Sequence, residues 1–227
     1  MRSFSRRSNT QLSGADLAAP GRELAILDFD GALDTGALLD CARHMRRDLP
    51  LAYPGMKIGL FGGSFDPAHE GHAHVAETAL KRLGLDRVWW LVSPQNPLKP
   101  KSSPFAKRMK SAERVARGSR MVVTDFEKRF GCNYTYQTLR MLRRLYPGVD
   151  FYLVMGADNL ANFRQWRNWR EVADSVPVVV VSRPGAGPGQ RLSAPKDWIF
   201  INARHHPQSS TALRARKRPA VAKPKRK

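Results

Sequence analysis

From residue 57 onward, short apolar runs alternate with longer segments in which apolar residues recur at helical spacing. The runs Phe151–Val154 and Val178–Val181 are apolar at every position, which is typical of strands buried on both faces of a parallel sheet. The predicted strands are Lys57–Phe61, Arg87–Val92, Met121–Asp125, Asp150–Met155, Val176–Ser182 and Trp198–Asn202. The predicted helices are His69–Leu83, Phe105–Arg117, Tyr136–Leu145 and Asn159–Ala173.

This alternation predicts an α/β fold, a single domain with a doubly wound, mostly parallel, Rossmann-like sheet of about five to six strands. Ligands of such sheets bind at the carboxyl ends of the strands. We expect the domain to span residues 56–216, with a largely disordered N-terminal extension over 1–55 and a basic disordered tail over 217–227. Met56 directly precedes the first strand, which leads to the hypothesis that it is the true start of the protein.

The composition is that of a globular protein from a reducing compartment. The chain has 227 residues, of which 42% are hydrophobic, enough for one domain with a sizeable core. Its two cysteines, Cys41 and Cys132, lie far apart and lack the spacing of metal ligands. No apolar run reaches the roughly 18 residues that a membrane span needs, and no apolar segment follows the basic start to make a secretory signal. We therefore expect a cytoplasmic protein without disulfides or structural zinc.

The formal net charge is +20, and much of it is local. Eight basic residues and no acidic ones fall within Arg214–Lys227, and a second basic stretch runs over Lys99–Arg120. Such charge attracts polyanions, either nucleic acids or nucleoside triphosphates. One hypothesis is therefore a basic RNA-binding protein. The other is a solvated tail that binds polyanions weakly, with no specific nucleic acid as partner.

The strongest chemical motif follows the first predicted strand. Residues 61–72 read Phe-Gly-Gly-Ser-Phe-Asp-Pro-Ala-His-Glu-Gly-His. The glycines let the backbone approach a phosphate closely, and the helix that begins here directs N–H groups and a positive dipole end at an anion. His69 and His72 are three residues apart and so share one face of that helix. We predict that this segment binds the phosphates of a nucleotide.

A second motif follows the last predicted strand, where Ser209–Arg214 reads Ser-Ser-Thr-Ala-Leu-Arg. Hydroxyl side chains at a helix start can cap the helix and can also donate to phosphate oxygens. Arg214 lies three residues beyond Thr211 and can bind the same anion from the same face. We expect this cluster to face the histidine pair.

A third motif, Met155–Asn159, ends the fourth predicted strand. Gly156 permits close approach of a ligand, and Asp158 can accept hydrogen bonds from a ribose or a base or can cap the next helix. Trp166 offers a flat stacking surface for an aromatic ring, although helical pattern alone would place it in the core.

A short string in the extension has another resemblance. Asp28-Phe-Asp30-Gly, at the end of an apolar run, resembles the nucleophile motif of haloacid-dehalogenase-like phosphatases, in which the first aspartate attacks and the second is a general acid. Those enzymes need a further α/β domain with a lysine and more acids after this strand, whereas here a different domain begins at Lys57. We therefore do not assign phosphatase activity.

Taken together, the motifs make segment 57–216 resemble the bacterial nicotinate-nucleotide adenylyltransferases, members of the nucleotidyltransferase superfamily marked by His-x-Gly-His. The resemblance also includes Ser182-Arg-Pro-Gly and the stretch Tyr134–Thr138, which is similar to the lining of the family's nicotinate pocket. Two features depart from the family: Gln208 stands where isoleucine is usual, and the Pro-Lys-Arg tail replaces the usual helical ending.

The resemblance implies transfer of AMP from ATP to nicotinate mononucleotide, which yields deamido-NAD and pyrophosphate, with Mg²⁺ carried in by ATP. It implies catalytic roles for His69, His72 and Arg214. The residues implied to bind ATP and its phosphates are Gly62, Gly63, Ser64, Phe65, Ser209, Ser210 and Thr211. The residues implied to bind the mononucleotide are Thr135, Gly156, Asp158, Trp166, Arg183 and Lys99.

Several alternatives stay open at this point. Nicotinamide mononucleotide, pantetheine phosphate or flavin mononucleotide could replace nicotinate mononucleotide as the acceptor within the same superfamily. Lys99 belongs either to a substrate loop or to a solvated surface, and Arg108 is expected on the surface of its helix. The protein is expected to be a monomer or a small homo-oligomer.

Overall fold

The computed structural model describes residues 49–94, 102–182 and 198–203, and within them one parallel sheet is flanked by helices. The strands are β1 Lys57–Gly63, β2 Arg87–Val92, β3 Met121–Thr124, β4 Asp150–Gly156, β5 Val178–Ser182 and β6 Ile199–Asn202. The helices are α1 Glu70–Arg82, α2 Phe105–Val115, α3 Phe126–Arg129, α4 Thr135–Leu145, α5 Ala157–Leu160 and α6 Trp169–Ser175, with a 3₁₀ turn at Phe163–Gln165.

The six strands lie in the order β3-β2-β1-β4-β5-β6, and every neighbouring pair is parallel. The predicted doubly wound α/β sheet is therefore confirmed. Because β1 pairs with β2 on one side and with β4 on the other, the strand order changes direction at β1. A ligand of such a sheet binds beyond the carboxyl ends of these central strands.

Each face of the sheet has its own hydrophobic core. On one face, Val75 and Ala79 of α1 pack against Trp90 of β2. On the other face, Leu139 and other residues of the later helices pack with Trp89. Successive strand residues point to opposite faces, so these adjacent and fully buried tryptophans fill the two cores separately.

The predicted strands agree with the structure to within two residues at each end. The predicted helix Asn159–Ala173 is wrong, because this stretch forms α5, the 3₁₀ turn and α6. Trp166 is extended, with ψ 137°, and Asn168 is left-handed, with φ +52°, so neither backbone continues a helix. The sequence also gave no sign of α3, which is too short to show helical periodicity.

The segment 49–55, which sequence analysis placed in the extension, contacts the domain. The hydroxyl of Tyr146 donates to the carbonyl of Pro50 at 2.8 Å, and Arg87 donates to the carbonyl of Leu51 at 3.0 Å. Leu49 also packs against the core. The predictions of disorder for residues 1–48 and for the tail lie outside the described residues. Within the described ranges, none of the helices has the length and apolar character needed to cross a membrane.

Candidate active site

The glycine-rich segment ends β1 at the carboxyl edge of the sheet. Gly62 is exposed there, and a Cβ atom built on it would meet no atom within 4 Å. A Cβ atom on Gly63 would instead come within 3.2 Å of the Phe65 ring. Gly62 therefore leaves open space beside the backbone at the position where this fold binds ligands.

The structure brings His69 and His72 together at the first turn of α1. Their ring centroids are 3.8 Å apart, and the backbone N–H of His69 donates to Nδ1 of His72 at 3.2 Å. His69 is buried and His72 is half-buried. The predicted convergence of the two imidazoles is thus observed, directly after the open position at Gly62.

An aromatic cluster surrounds His72. After His69, the nearest ring is that of Phe65, edge-on at 5.2 Å, and Phe61 and Trp90 follow at 6.1 and 6.5 Å. Phe65 itself is buried and has φ +46°, a left-handed conformation that residues other than glycine rarely adopt. Such conformations concentrate at functional sites. The peptide bond between the next two residues, Asp66 and Pro67, is cis.

Arg108 corrects one prediction, since it is not on the helix surface but only 2% exposed. Its guanidinium donates to four backbone carbonyls: Ser64 at 2.9 Å, Ser93 at 2.6 Å, Pro94 at 2.7 Å and Ser103 at 2.9 Å. Burial lowers the pKa of Arg108, and the nearby carboxylate of Asp66 opposes this shift. The sequence did not signal this role, because the carbonyls come from loops that only the fold brings together.

Two further hydrogen bonds connect the region of α2 to the loop between β1 and α1. The backbone N–H of Ser103 donates to the Asp66 carboxylate at 2.9 Å, and the N–H of Ala68 donates to the Ser111 hydroxyl at 3.0 Å. Ser111 is buried. The loop between β1 and α1 is therefore held against α2 at several points.

The end of β4 supplies the next predicted residues. Asp158 is exposed, and its carboxylate lies so near Gly156 that a Cβ atom there would be 2.5 Å from Oδ1. Glycine is thus required at position 156 for Asp158 to keep this orientation. Trp166 follows the 3₁₀ turn, is half-buried, and packs at 5.1 Å against the buried ring of Phe163.

The structure also brings the Trp166 segment to the start of α4, where Thr135 lies. Arg167 places its guanidinium 5.0 Å from the centroid of the Tyr134 ring, and a hydrogen bond from Arg167 to Tyr134 raises the pKa of the arginine. On the other side, Arg140 of α4 forms an ion pair with Glu171 of α6. Two stretches that lie about thirty residues apart in the sequence are thus neighbours.

Sequence analysis missed Glu127 altogether. This glutamate of α3 is buried, accepts a hydrogen bond from the Thr138 hydroxyl at 3.0 Å, and also interacts with the Ser93 side chain. Burial raises its pKa to about 7. In the sequence Phe-Glu-Lys-Arg the glutamate looks like an ordinary surface charge, so no local signal could have identified it.

The remaining predicted site residues lie outside the described residues, namely Lys99, Arg183, Ser209, Ser210, Thr211 and Arg214. The placement of the Ser209–Arg214 cluster opposite the histidine pair stays a prediction, as do the substrate contacts of Lys99 and Arg183. Within the described ranges, no group of three or more His, Cys, Asp or Glu side chains is arranged to hold a metal ion.

Comparison with known proteins gives a consistent result. A family model described as Cytidylyltransferase-like matches residues 60–216. A probable nicotinate-nucleotide adenylyltransferase of Caulobacter sp. is 56% identical over 162 residues, which cover 70% of this chain and 85% of that protein. A protein of the same name from Roseobacter denitrificans is 47% identical over 196 residues, which cover 76% of this chain and 98% of that protein.

A solved structure supports the fold. Plasmodium falciparum nicotinic acid mononucleotide adenylyltransferase, complexed with NaAD, superposes with a TM-score of 0.60 at 19% identity, over 70% of this chain and 83% of that chain. At that identity the likeness concerns the architecture alone. The sequence matches, which are much closer and nearly span their relatives, show that the chain belongs to the nicotinate-nucleotide adenylyltransferase family.

Proposed function

We propose that this protein transfers AMP from ATP to the 5′-phosphate of nicotinate mononucleotide and so makes deamido-NAD and pyrophosphate. The observation that carries the proposal is the His69–His72 pair, which follows an open glycine position at the carboxyl end of the central strand. The names of the close relatives supply the substrate class.

The chemistry needs no covalent intermediate on the protein. A phosphate oxygen of the mononucleotide attacks the α-phosphorus of ATP, the bond from that phosphorus to the bridging α,β-oxygen breaks, and pyrophosphate leaves with the electron pair. Two polyanions must be held together while negative charge grows on the leaving group. Catalysis of this kind rests on positioning and electrostatics.

On the phosphate side, we assign His69 and His72 to the phosphates of ATP, with His72 the more important in the transition state. Gly62, Gly63, Ser64 and Phe65 shape the loop beside them. From the resemblance, we assign the β- and γ-phosphates to Ser209, Ser210, Thr211 and Arg214. Mg²⁺ enters as part of the ATP complex and, when bound, neutralises phosphate charge with few or no protein ligands.

On the mononucleotide side, we assign Trp166 to stacking on the pyridine ring and Thr135 to the nicotinate pocket. The contact between the Arg167 guanidinium and the Tyr134 ring brings the segments of Trp166 and Thr135 together, which supports this assignment. Asp158 is exposed at the end of β4 and can accept hydrogen bonds from a ribose. Lys99 and Arg183 complete the proposed substrate residues.

The test is an assay of the purified protein with Mg-ATP and one acceptor at a time, monitored by pyrophosphate release and by chromatography of the dinucleotide. We expect turnover with nicotinate mononucleotide to exceed turnover with nicotinamide mononucleotide, pantetheine phosphate or flavin mononucleotide. Equal or faster turnover with one of the other acceptors would overturn the proposed substrate. Absence of pyrophosphate release with every acceptor would overturn the reaction itself.

A further inference from the structure

Arg108 stands where three parts of the chain meet. Its four carbonyl partners belong to the loop after β1, the loop after β2, and the residues just before α2. Nε, Nη1 and Nη2 all donate, so the planar guanidinium fixes the relative positions of these segments. An ammonium group has a single nitrogen and could not reach all four carbonyls in this geometry.

The loop that leads to the histidines is held on both sides of one unusual residue. Arg108 binds the carbonyl of Ser64, and Ser111 accepts from the N–H of Ala68. Between these two points Phe65 is left-handed at φ +46°. A non-glycine residue keeps such a backbone conformation only where its surroundings determine it from several directions.

The Phe65 ring transmits this constraint to the histidine pair. It lies 5.2 Å from the His72 ring, edge-on, and 5.1 Å from the buried ring of Trp90. A shift of the Ser64 carbonyl would therefore rotate the Phe65 backbone and move a ring that contacts His72. Close packing leaves little room to absorb such a shift.

We propose that the buried polar face of α2, Arg108 and Ser111, sets the position of His72 for AMP transfer by holding Phe65 in its left-handed conformation. Arg108 is thus a positioning residue that acts through the loop and touches neither substrate. The proposal rests on the proposed function for the role of His72 in the reaction. The placement of the His72 ring is a property of the protein without ligands and can be measured separately.

The test compares Arg108→Lys with Arg114→Lys, which makes the same chemical change at an exposed arginine of the same helix. At a temperature where thermal melting shows both proteins folded, we expect Arg108→Lys to lose about 10- to 100-fold in kcat, since small misplacements are costly in reactions that depend on positioning. KM for nicotinate mononucleotide should stay within about twofold, because substrate binding by itself does not require the precise placement of His72. Arg114→Lys should match the wild type.

A second readout uses the ligand-free protein. The His72 ring resonances in nuclear magnetic resonance spectra should shift in Arg108→Lys and not in Arg114→Lys. If Arg108→Lys does not fold, Ser111→Ala tests the proposal in its place, because it removes one hydrogen bond to the loop and leaves every charge unchanged. We expect Ser111→Ala to shift the same resonances and to lower kcat by about three- to tenfold, the usual weight of one hydrogen bond.

A folded variant with wild-type kcat and unshifted His72 resonances would overturn the proposal. If Arg108 and Ser111 only stabilised the fold, their variants would have a lower melting temperature, and kcat of the folded protein would be unchanged. That result would also contradict the proposal. If the wild type transfers no AMP, the proposed function fails, and the His72 resonances of the variants still decide whether α2 positions the ring.

Discussion

The two sides of the proposed site are built differently. On the phosphate side, buried polar groups hold backbone carbonyls and N–H groups, with Arg108 2% exposed at the centre. On the mononucleotide side, half-buried rings and exposed arginines such as Arg167 meet near the surface. The difference matches the work proposed for each side. The first faces the reacting phosphates, where charge changes during the reaction, and the second holds the pyridine ring of the mononucleotide, where it does not.

The comparison predicts that substitutions on the phosphate side mainly change kcat and that substitutions on the mononucleotide side mainly change KM for the mononucleotide. Variants on one side should therefore leave the parameter of the other side nearly unchanged. The following predictions test this division, starting with the largest expected effect.

His72→Ala should lower kcat by a factor of at least about 10²–10³, comparable to the loss of one donor that stabilises developing charge. Steady-state kinetics at saturating concentrations of both substrates measure this effect. His74→Ala, the same change two residues further along α1, is the control and should retain activity. A His72→Ala protein with nearly normal kcat would remove the histidine pair from the mechanism.

Gly62→Ala should lower kcat/KM for ATP by about 10²-fold, because a methyl group would occupy the open space and displace the phosphates. The added Cβ atom meets no protein atom within 4 Å, so the melting temperature should not change. This combination of unchanged stability and lost activity distinguishes ligand approach from a packing defect. Unchanged kcat/KM would mean that the nucleotide does not pass close to this backbone.

Trp166→Ala should raise KM for the mononucleotide about tenfold with little change in kcat, because stacking of a ring contributes to binding before and during the reaction alike. Trp166→Phe should restore most of the affinity, since it keeps a flat ring over the same buried Phe163. A fall in kcat with KM for the mononucleotide unchanged would contradict the predicted difference between the two sides.

Glu127→Gln should have the smallest effect on activity and a clear effect on stability. In the folded protein burial raises the pKa of Glu127 to about 7, from an ordinary value of 4.5. Between these values the folded state keeps a proton that the unfolded state has released, so the free energy of unfolding falls as the pH rises through this window. Above pH 7 the accumulated cost is about 3 kcal/mol, at about 1.4 kcal/mol for each pKa unit.

The neutral glutamine avoids that cost and can still accept the hydrogen bond from Thr138. Urea unfolding at pH 5 and at pH 8 should therefore show wild type and variant to be similar at pH 5 and the variant to be more stable at pH 8. If both proteins lose the same stability between the two pH values, the Glu127 carboxyl does not titrate in this range.

The sequence predicted most of the sheet and the convergence of His69 and His72. Continuous apolar runs such as Val178–Val181 identify buried strands, because parallel strands are covered on both faces. His69 and His72 could be paired from their spacing, although His69 is the extended N-cap of α1 and meets His72 across the start of the helix. Both inferences depend only on neighbours along the chain.

What could not be predicted depends on distant neighbours. Arg108 and Glu127 look like surface charges in the sequence, and only the fold shows that loop carbonyls surround the first and hydroxyls the second. The same holds for Trp166, because the sequence pattern of its segment predicts a helix that the left-handed Asn168 interrupts in the structure. Local pattern cannot indicate whether a long side chain is exposed or finds partners from other elements.

The segment before β1 has a consequence for handling the protein in solution. β3 is the last strand on its side of the described sheet, and Leu49 and Pro50 line a small cavity together with its residues Val122–Thr124. An uncovered edge strand offers its backbone groups to other chains, and a proline near the edge discourages such pairing. A shortened chain that begins at Met56 would lose these two neighbours of β3, and we expect it to aggregate more readily than the full chain even if its chemistry is intact.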